Sequence, residues 1–130
     1  MIDFSSCVEA NILGLNIDNA SRALRIDLQF SSSQRHQIVV DGMDRFIANE
    51  FREQNIIDRV NLWDLKSSSI EFTEVLFELF SFNHAEANKE INELIQKEII
   101  AINNGEKVLL EIEPVFGVSV IVLAKSVKLV

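Results

Sequence analysis

Leu24, Ile26, Leu28 and Phe30 alternate with Arg25, Asp27 and Gln29, the two-residue period of a strand with one face buried and the other in water. Upstream, Leu13, Leu15 and Ile17 hold one phase while Val8, Ala10 and Ile12 hold the other. That switch predicts a bulge near Ile12 and Leu13. Asp18-Asn19-Ala20-Ser21 joins the two segments with turn chemistry, since Asp and Asn accept left-handed conformations and bond their own backbone. A third strand is predicted over His36 to Val40, with Asp41-Gly42 reversing the chain into Met43 to Ala48. Phe51 to Leu65 carries two phases. Ile57, Arg59, Asn61 and Trp63 alternate with Ile56, Asp58, Val60 and Leu62, which reads as strand, whereas Ile56, Val60 and Trp63 also trace a helical stripe. Strand is the reading adopted.

Two helices follow. Phe72, Val75, Leu76, Leu79 and Phe80 fall at helical spacing with Glu71, Glu74 and Glu78 on the other side, an amphipathic helix with an acidic outer face. In the second, Asn83-His84-Ala85-Glu86 has the form of an N-cap with a glutamate three residues on. Ile91, Leu94, Ile95, Glu98, Ile99 and Ile102 make the stripe, and Asn104-Gly105 supplies the stop. Val108, Leu110 and Ile112 then alternate with Leu109, Glu111 and Glu113. Pro114-Val115-Phe116-Gly117 is predicted as a turn because proline donates no backbone hydrogen bond. Val118 to Val122 and Lys125 to Val130 complete the sheet. Ser31-Ser32-Ser33 and Ser67-Ser68-Ser69 read as loops. The order predicts one α+β domain over 1–130, an antiparallel sheet of about six to eight strands with two helices between the N-terminal strands and the C-terminal hairpin.

Composition agrees with a self-sufficient domain: 130 residues, 48% hydrophobic and 25% charged, with no repeat or linker. The net charge of −8 argues against nucleic acid as partner, since phosphate binding needs clustered Lys and Arg and here they are scattered. The same field attracts a basic protein surface and speeds its encounter. The single cysteine, Cys7, has no partner for an internal disulfide, and the start of the chain lacks the charged and apolar regions of a secretory signal, so a cytoplasmic location is expected. Apolar runs such as Val120 to Ala124 are too short to span a bilayer, so no membrane role is expected.

Few residues offer chemistry. One Cys and two His lack zinc-ligand spacing, so no metal is expected, and the four glycines are too far apart to cradle a nucleotide, so no cofactor is expected. Cys7 with His36 or His84 would be a nucleophile only if the fold brought them together; a small buried residue is the plainer reading. His36 shares a phase with Ile38 and Val40 and is expected to be half-buried and hydrogen-bonded. Glu111 and Glu113 share a strand face, but glycosidase chemistry wants an aromatic-lined sugar cleft. The segment Asn49-Glu50-Phe51-Arg52-Glu53-Gln54-Asn55 is densely polar around one aromatic, and a solvated loop or bulged strand end with Phe51 tucked into the core is the plainer reading beside a binding site. The balance points to a binding protein rather than an enzyme.

Ala10-Asn11-Ile12-Leu13-Gly14-Leu15, Phe51-Arg52-Glu53-Gln54-Asn55-Ile56-Ile57 and Leu110-Glu111-Ile112-Glu113-Pro114-Val115-Phe116-Gly117 together resemble small bacterial immunity proteins of polymorphic or contact-dependent growth inhibition toxin systems. The resemblance implies a protein that binds a cognate toxin domain, of a basic nuclease type, and blocks its active site. Charge density then selects Glu50, Arg52, Glu53 and Asp58 as the contact surface, with Glu71, Glu74 and Glu78 second. The competing expectation is a small-molecule binder or minor enzyme whose sheet curls into a cup lined by Phe72, Phe77 and Phe80. A third is a self-assembling structural subunit with a symmetric apolar interface.

Overall fold

A computed structural model describes residues 3–65, 71–80 and 89–130. Six strands follow in chain order: β1 (Asn11–Asp18), β2 (Ala23–Gln29), β3 (Arg35–Asn49), β4 (Ile56–Trp63), β5 (Val108–Phe116) and β6 (Ser119–Leu129). Between β4 and β5 lie α1 (Glu71–Phe80) and α2 (Lys89–Asn103), and a short 3-10 turn, Ser5–Cys7, precedes β1. All neighbours are antiparallel and the sheet closes on itself in the order β1-β2-β3-β6-β5-β4. The fold is therefore α+β, with two helices between the N-terminal strands and the C-terminal hairpin. Among the described residues no helix is long and apolar enough to cross a membrane.

Alternation in the sequence becomes inside and outside in the barrel. Leu24, Ile26 and Leu28 of β2 and Ile38 and Val40 of β3 are fully buried in its interior. The bulge expected near Ile12 and Leu13 is present, since the β1–β2 register shifts between Ile12 and Gly14. At the β1–β2 turn the Asp18 carboxylate accepts from the Ala20 and Ser21 amides at 3.0 and 3.3 Å. The start of β5 and the first half of β6 are covered on both faces. Leu110, Ile112, Val120 and Val122 fill the barrel, whereas Leu109, Ile121 and Leu123 point outward beneath Phe72, Leu76 and Leu79 of α1 and Ile91, Ile95 and Ile102 of α2. Fully covered strands read as continuous apolar runs, as Val120 to Ala124 does. The helix α2 ends in a Schellman motif at Gly105 (φ +79°), with Gly105 N–H donating to Ile102 O at 3.0 Å and Glu106 N–H to Ala101 O at 2.9 Å.

Three expectations change. Asp41-Gly42 does not reverse the chain: β3 runs on through it, and Gly42 (φ +63°) bends the strand instead. On β6 the inward phase passes from Ala124 to Val127 opposite that bend, so the two segments expected there are one strand. Pro114 does not end β5, because it faces Ile57 where β4 bulges on both sides, and a disrupted ladder demands no N–H there. The ambiguous stretch is strand over Ile56–Trp63, preceded by loop. The capping sequence at Asn83-His84-Ala85-Glu86 and the loop Ser67-Ser68-Ser69 lie outside the described residues.

Closure depends on a short seam between β1 and β4. Asn11 pairs with Ile56, Ile57 N–H donates to Ala10 O at 2.9 Å, and Ile12 N–H donates to Asn55 O at 2.8 Å. Asn55, one of two buried polar residues described, locks it. Its Oδ1 accepts from the amides of Arg52 (2.9 Å) and Val118 (3.0 Å), and its Nδ2 donates to the carbonyls of Arg52 (2.7 Å) and Ile12 (3.2 Å). Asn11 Oδ1 takes the Asn55 amide at 2.8 Å. One side chain thus ties together β1, the β3–β4 loop and the β5–β6 turn, and uses its whole hydrogen-bonding capacity to do so. Gly117 (φ +91°) is required beside it, because an added Cβ would clash with Asn55 Oδ1 and lie 2.5 Å from Gln54 O.

Asn55→Ala is expected to cost roughly 2–4 kcal/mol, since it strands several buried backbone groups at once. Asn55→Asp should cost at least as much, since it keeps the acceptor but sets a buried anion against the Arg52 and Ile12 carbonyls. Gly117→Ala should cost roughly 2 kcal/mol or more from strained backbone and the clash. Urea denaturation of the three variants measures this; a wild-type midpoint for Asn55→Ala would remove the lock from the account.

Candidate functional site

The residues singled out by charge fall into two neighbouring groups. Glu50, Arg52 and Glu53 are exposed on the β3–β4 loop, and Asp58 is exposed at the β4 bulge. Glu50 holds a left-handed backbone (φ 67°), which turns the chain out of β3. Glu74 and Glu78 are exposed on α1; the side chain of Glu71 lies outside the described set. The groups connect through the outer face of β4 and β5. Asn61 Nδ2 donates to both Glu111 (3.1 Å) and Glu113 (3.0 Å), Arg59 pairs with Glu113 at 3.5 Å, and the charge of Glu78 acts on Glu111. Burial, followed by the carboxylates of Glu113 and Glu78, raises the Glu111 pKa above its usual range against the opposing Asn61 hydrogen bond.

Sequence reasoning missed the apolar part of this surface. Phe51 is not tucked into the core but is 50% exposed, and Val115 (67%) and Phe116 (44%) protrude from the end of β5, just before the turn into β6. The Arg52 guanidinium lies over the Phe116 ring, 5.3 Å from its centroid. Asn55 explains why Arg52 and Phe116 meet: it holds Arg52 by both backbone polar groups and, through the Val118 amide, the turn that follows Phe116. Pro114, Val115 and Phe116 read as turn residues in the sequence, and turn residues are expected to be wet. Their only warning signal was two large apolar side chains in succession at a tip. Exposed aromatic side chains and exposed charged residues thus occur on the same loop and on the strand end that Asn55 ties to it.

The residues with reactive potential are placed differently. Cys7 is fully buried in the barrel core with Phe4, Ala10 and Ile12, and desolvation pushes its thiol pKa up to about 11. A thiol held neutral in this way is not an activated nucleophile. His36 is half-buried, stacked on Phe30 with centroids 4.3 Å apart, and its Nδ1 donates to Val130 O at 3.2 Å. His84 lies outside the described residues. Among the described residues no group of His, Cys, Asp and Glu is arranged to hold a metal ion. Phe72, Phe77 and Phe80 do not line a cup. They sit on α1, outside the barrel, where Phe72 meets Trp63 and Phe80 carries Arg45 over its ring at 4.6 Å.

A second ionic cluster ties the helix layer to the barrel. Glu98, buried on α2, receives Lys107 Nζ at 2.7 and 3.0 Å, and the same ammonium reaches Asp44 of β3 at 2.6 Å. Burial by itself would lower the Lys107 pKa, but the hydrogen bonds to Asp44 and Glu98 outweigh it and hold it above the usual lysine range. Comparison with protein-family models, with curated proteins and with solved structures gave no match for this chain.

Two measurements probe these environments. Cys7 should resist iodoacetamide in the native protein at pH 8 and react only when urea unfolds it; rapid native labelling would contradict its burial. For Glu111, a raised native pKa means that its favourable contribution is complete below the unfolded value of 4.5 and is lost as pH rises through the higher native value. At pH 7 the ionised carboxylate is therefore a net cost. Glu111→Gln should raise the urea midpoint at pH 7, and the gain should shrink towards zero as pH falls below 4.5. A loss at pH 7 would reverse the sign of that argument.

Proposed function

We propose that this protein acts by binding, as a cytoplasmic immunity protein that neutralises a cognate, cationic, nuclease-type toxin domain delivered by a neighbouring cell by blocking its active site. The observation that carries the reading is the surface built by the β3–β4 loop, the start of β4 and the end of β5, where Phe51, Val115 and Phe116 are exposed and Glu50, Arg52, Glu53 and Asp58 are charged. Aromatic side chains supply the desolvated anchors that set a dissociation rate, and a charged rim governs the rate of encounter. A net charge of −8 favours a basic partner, and a nuclease presents one because its own substrate is anionic. The secondary acidic residues Glu74 and Glu78 would extend the rim along α1 and the Glu111–Glu113 face. The barrel interior is occupied by aliphatic side chains, which suits a rigid scaffold whose outside does the work.

The test is direct titration against the C-terminal domain of a large secreted protein encoded immediately upstream, with protection of growth on co-expression as the cellular readout. Phe51→Ala and Phe116→Ala together should weaken the complex by about 30-fold or more, mainly through faster dissociation. Glu50→Lys with Glu53→Lys should slow association by about tenfold at low ionic strength, and the effect should fade in high salt. Wild-type kinetics in both variants would remove this surface from the interaction. Absence of binding and of growth protection would overturn the immunity reading itself.

A further inference from the structure

A second site is built where β3 and β6 bend together, at the other end of β5 from the Phe116 turn. Gly42 takes φ +63°, and a Cβ there would lie 2.7 Å from the Lys125 stem, so the lysine is laid across a position that only glycine can occupy. Immediately after the bend the β3–β6 register shifts between Met43 and Arg45, which makes Asp44 the bulged residue and turns its carboxylate to Lys107. Bulges of this kind re-aim side chains. Arg22 closes the β1–β2 turn in a left-handed conformation (φ 55°) that its side chain repays: Nε donates to Met43 O at 2.9 Å and Nη2 to Asp44 O at 3.1 Å. In return Met43 N–H donates to Arg22 O at 2.7 Å.

These irregularities enclose a cleft of ≈ 410 Å³ lined by Ser21, Arg22, Gly42, Met43, Asp44, Lys107 and Lys125. Three of the chain's twelve Lys and Arg residues converge on it, from three separate segments, in a protein whose net charge is −8. Like charges gathered in one concavity repel unless an anion joins them. Lys107 already has carboxylates, Glu98 and Asp44. Arg22 bonds only to carbonyl oxygens, and Lys125 has neither hydrogen bond nor ion pair among the described residues. Three cations against the carboxylates of Asp44 and Glu98 leave 3 − 2 = +1, an excess that the monoanion of a phosphate monoester matches. The guanidinium is fixed in place by its bonds to the Met43 and Asp44 carbonyls and Lys125 can still move, whereas the Ser21 side chain is engaged with the Asp18 carboxylate and leaves recognition to the cations.

We propose that this cleft binds a small molecule through its phosphate group, held by Arg22, Lys107 and Lys125 beside Ser21. The volume fits a phosphate with a small organic substituent. This site shares no residue with the Phe51–Phe116 surface, and the inference does not rest on the docking reading.

Phenyl phosphate, inorganic phosphate and acetate are titrated into the ¹⁵N-labelled protein at constant ionic strength, and amide shifts are followed. The expected result is saturable movement of Ser21, Arg22, Gly42, Met43 and Lys107 with phenyl phosphate, weaker saturation with inorganic phosphate, and little with acetate. Lys125→Met keeps the stem over Gly42 and removes only the charge, so it should leave the urea midpoint unchanged and weaken phosphate binding about tenfold. Arg22 and Lys107 are left intact because each also holds the fold. Shifts that never saturate, that scatter over other cationic residues, or that persist unchanged in Lys125→Met would overturn the site. Acetate binding as well as phosphate would overturn the assignment to a phosphate group.

Discussion

The architecture hangs on one carboxamide. A six-stranded sheet wide enough to curl still has two edges, and an edge strand with free N–H and C=O groups is open to fraying or to pairing with another chain. Here the edges meet over only a few residues, Ala10 to Ile12 against Asn55 to Ile57. So short a seam carries few backbone bonds. Asn55 makes them cooperative, because its side chain can satisfy Arg52, Ile12 and Val118 together only when β1, the β3–β4 loop and the β5–β6 turn are all in place. Being buried, it would leave a large unsatisfied penalty in any arrangement that opened one of them.

Around that closure, β5 and β6 do double duty. Their inner faces belong to the barrel core and their outer faces to the core beneath the helices, so the two clusters share a wall and are not independent units. The helix layer is also fixed ionically, through Glu98 on α2, Lys107 just before β5 and Asp44 on β3. A buried pair contributes little net stability compared with an apolar substitute, but either member left alone is expensive. The cluster therefore sets where the helices sit on the barrel more than how strongly they hold.

Local periodicity made much of this legible. The hairpin of β1 and β2, the bulge at Leu13, the strand over Ile56–Trp63, both amphipathic helices and the Gly105 stop follow from side-chain pattern and turn chemistry, which are short-range properties. Glu98 also stood in the apolar stripe of α2, the one sign that it would be buried. What the pattern did not carry was anything set by strand partners. Gly42 and Pro114 are breakers in isolation, yet both lie inside strands because neighbouring bulges absorb them. Closure was equally invisible, since Asn55 sits in a polar run and nothing local distinguishes it from Asn49. Of the candidate surface, the charged residues were readable as composition, whereas the exposure of Phe51 and Phe116 was decided by which loops the amide gathers.

The lock at Asn55 also changes what recognition would cost at this end of the molecule. A polar loop of this length in free solution samples many backbone states, and ordering it in a complex sacrifices that freedom. With both backbone groups of Arg52 already engaged, the segment that presents Phe51 and Arg52 has surrendered much of its entropy during folding. The surface is thus a rigid template rather than a flexible arm, and shape fit instead of adaptation would govern its choice among partners.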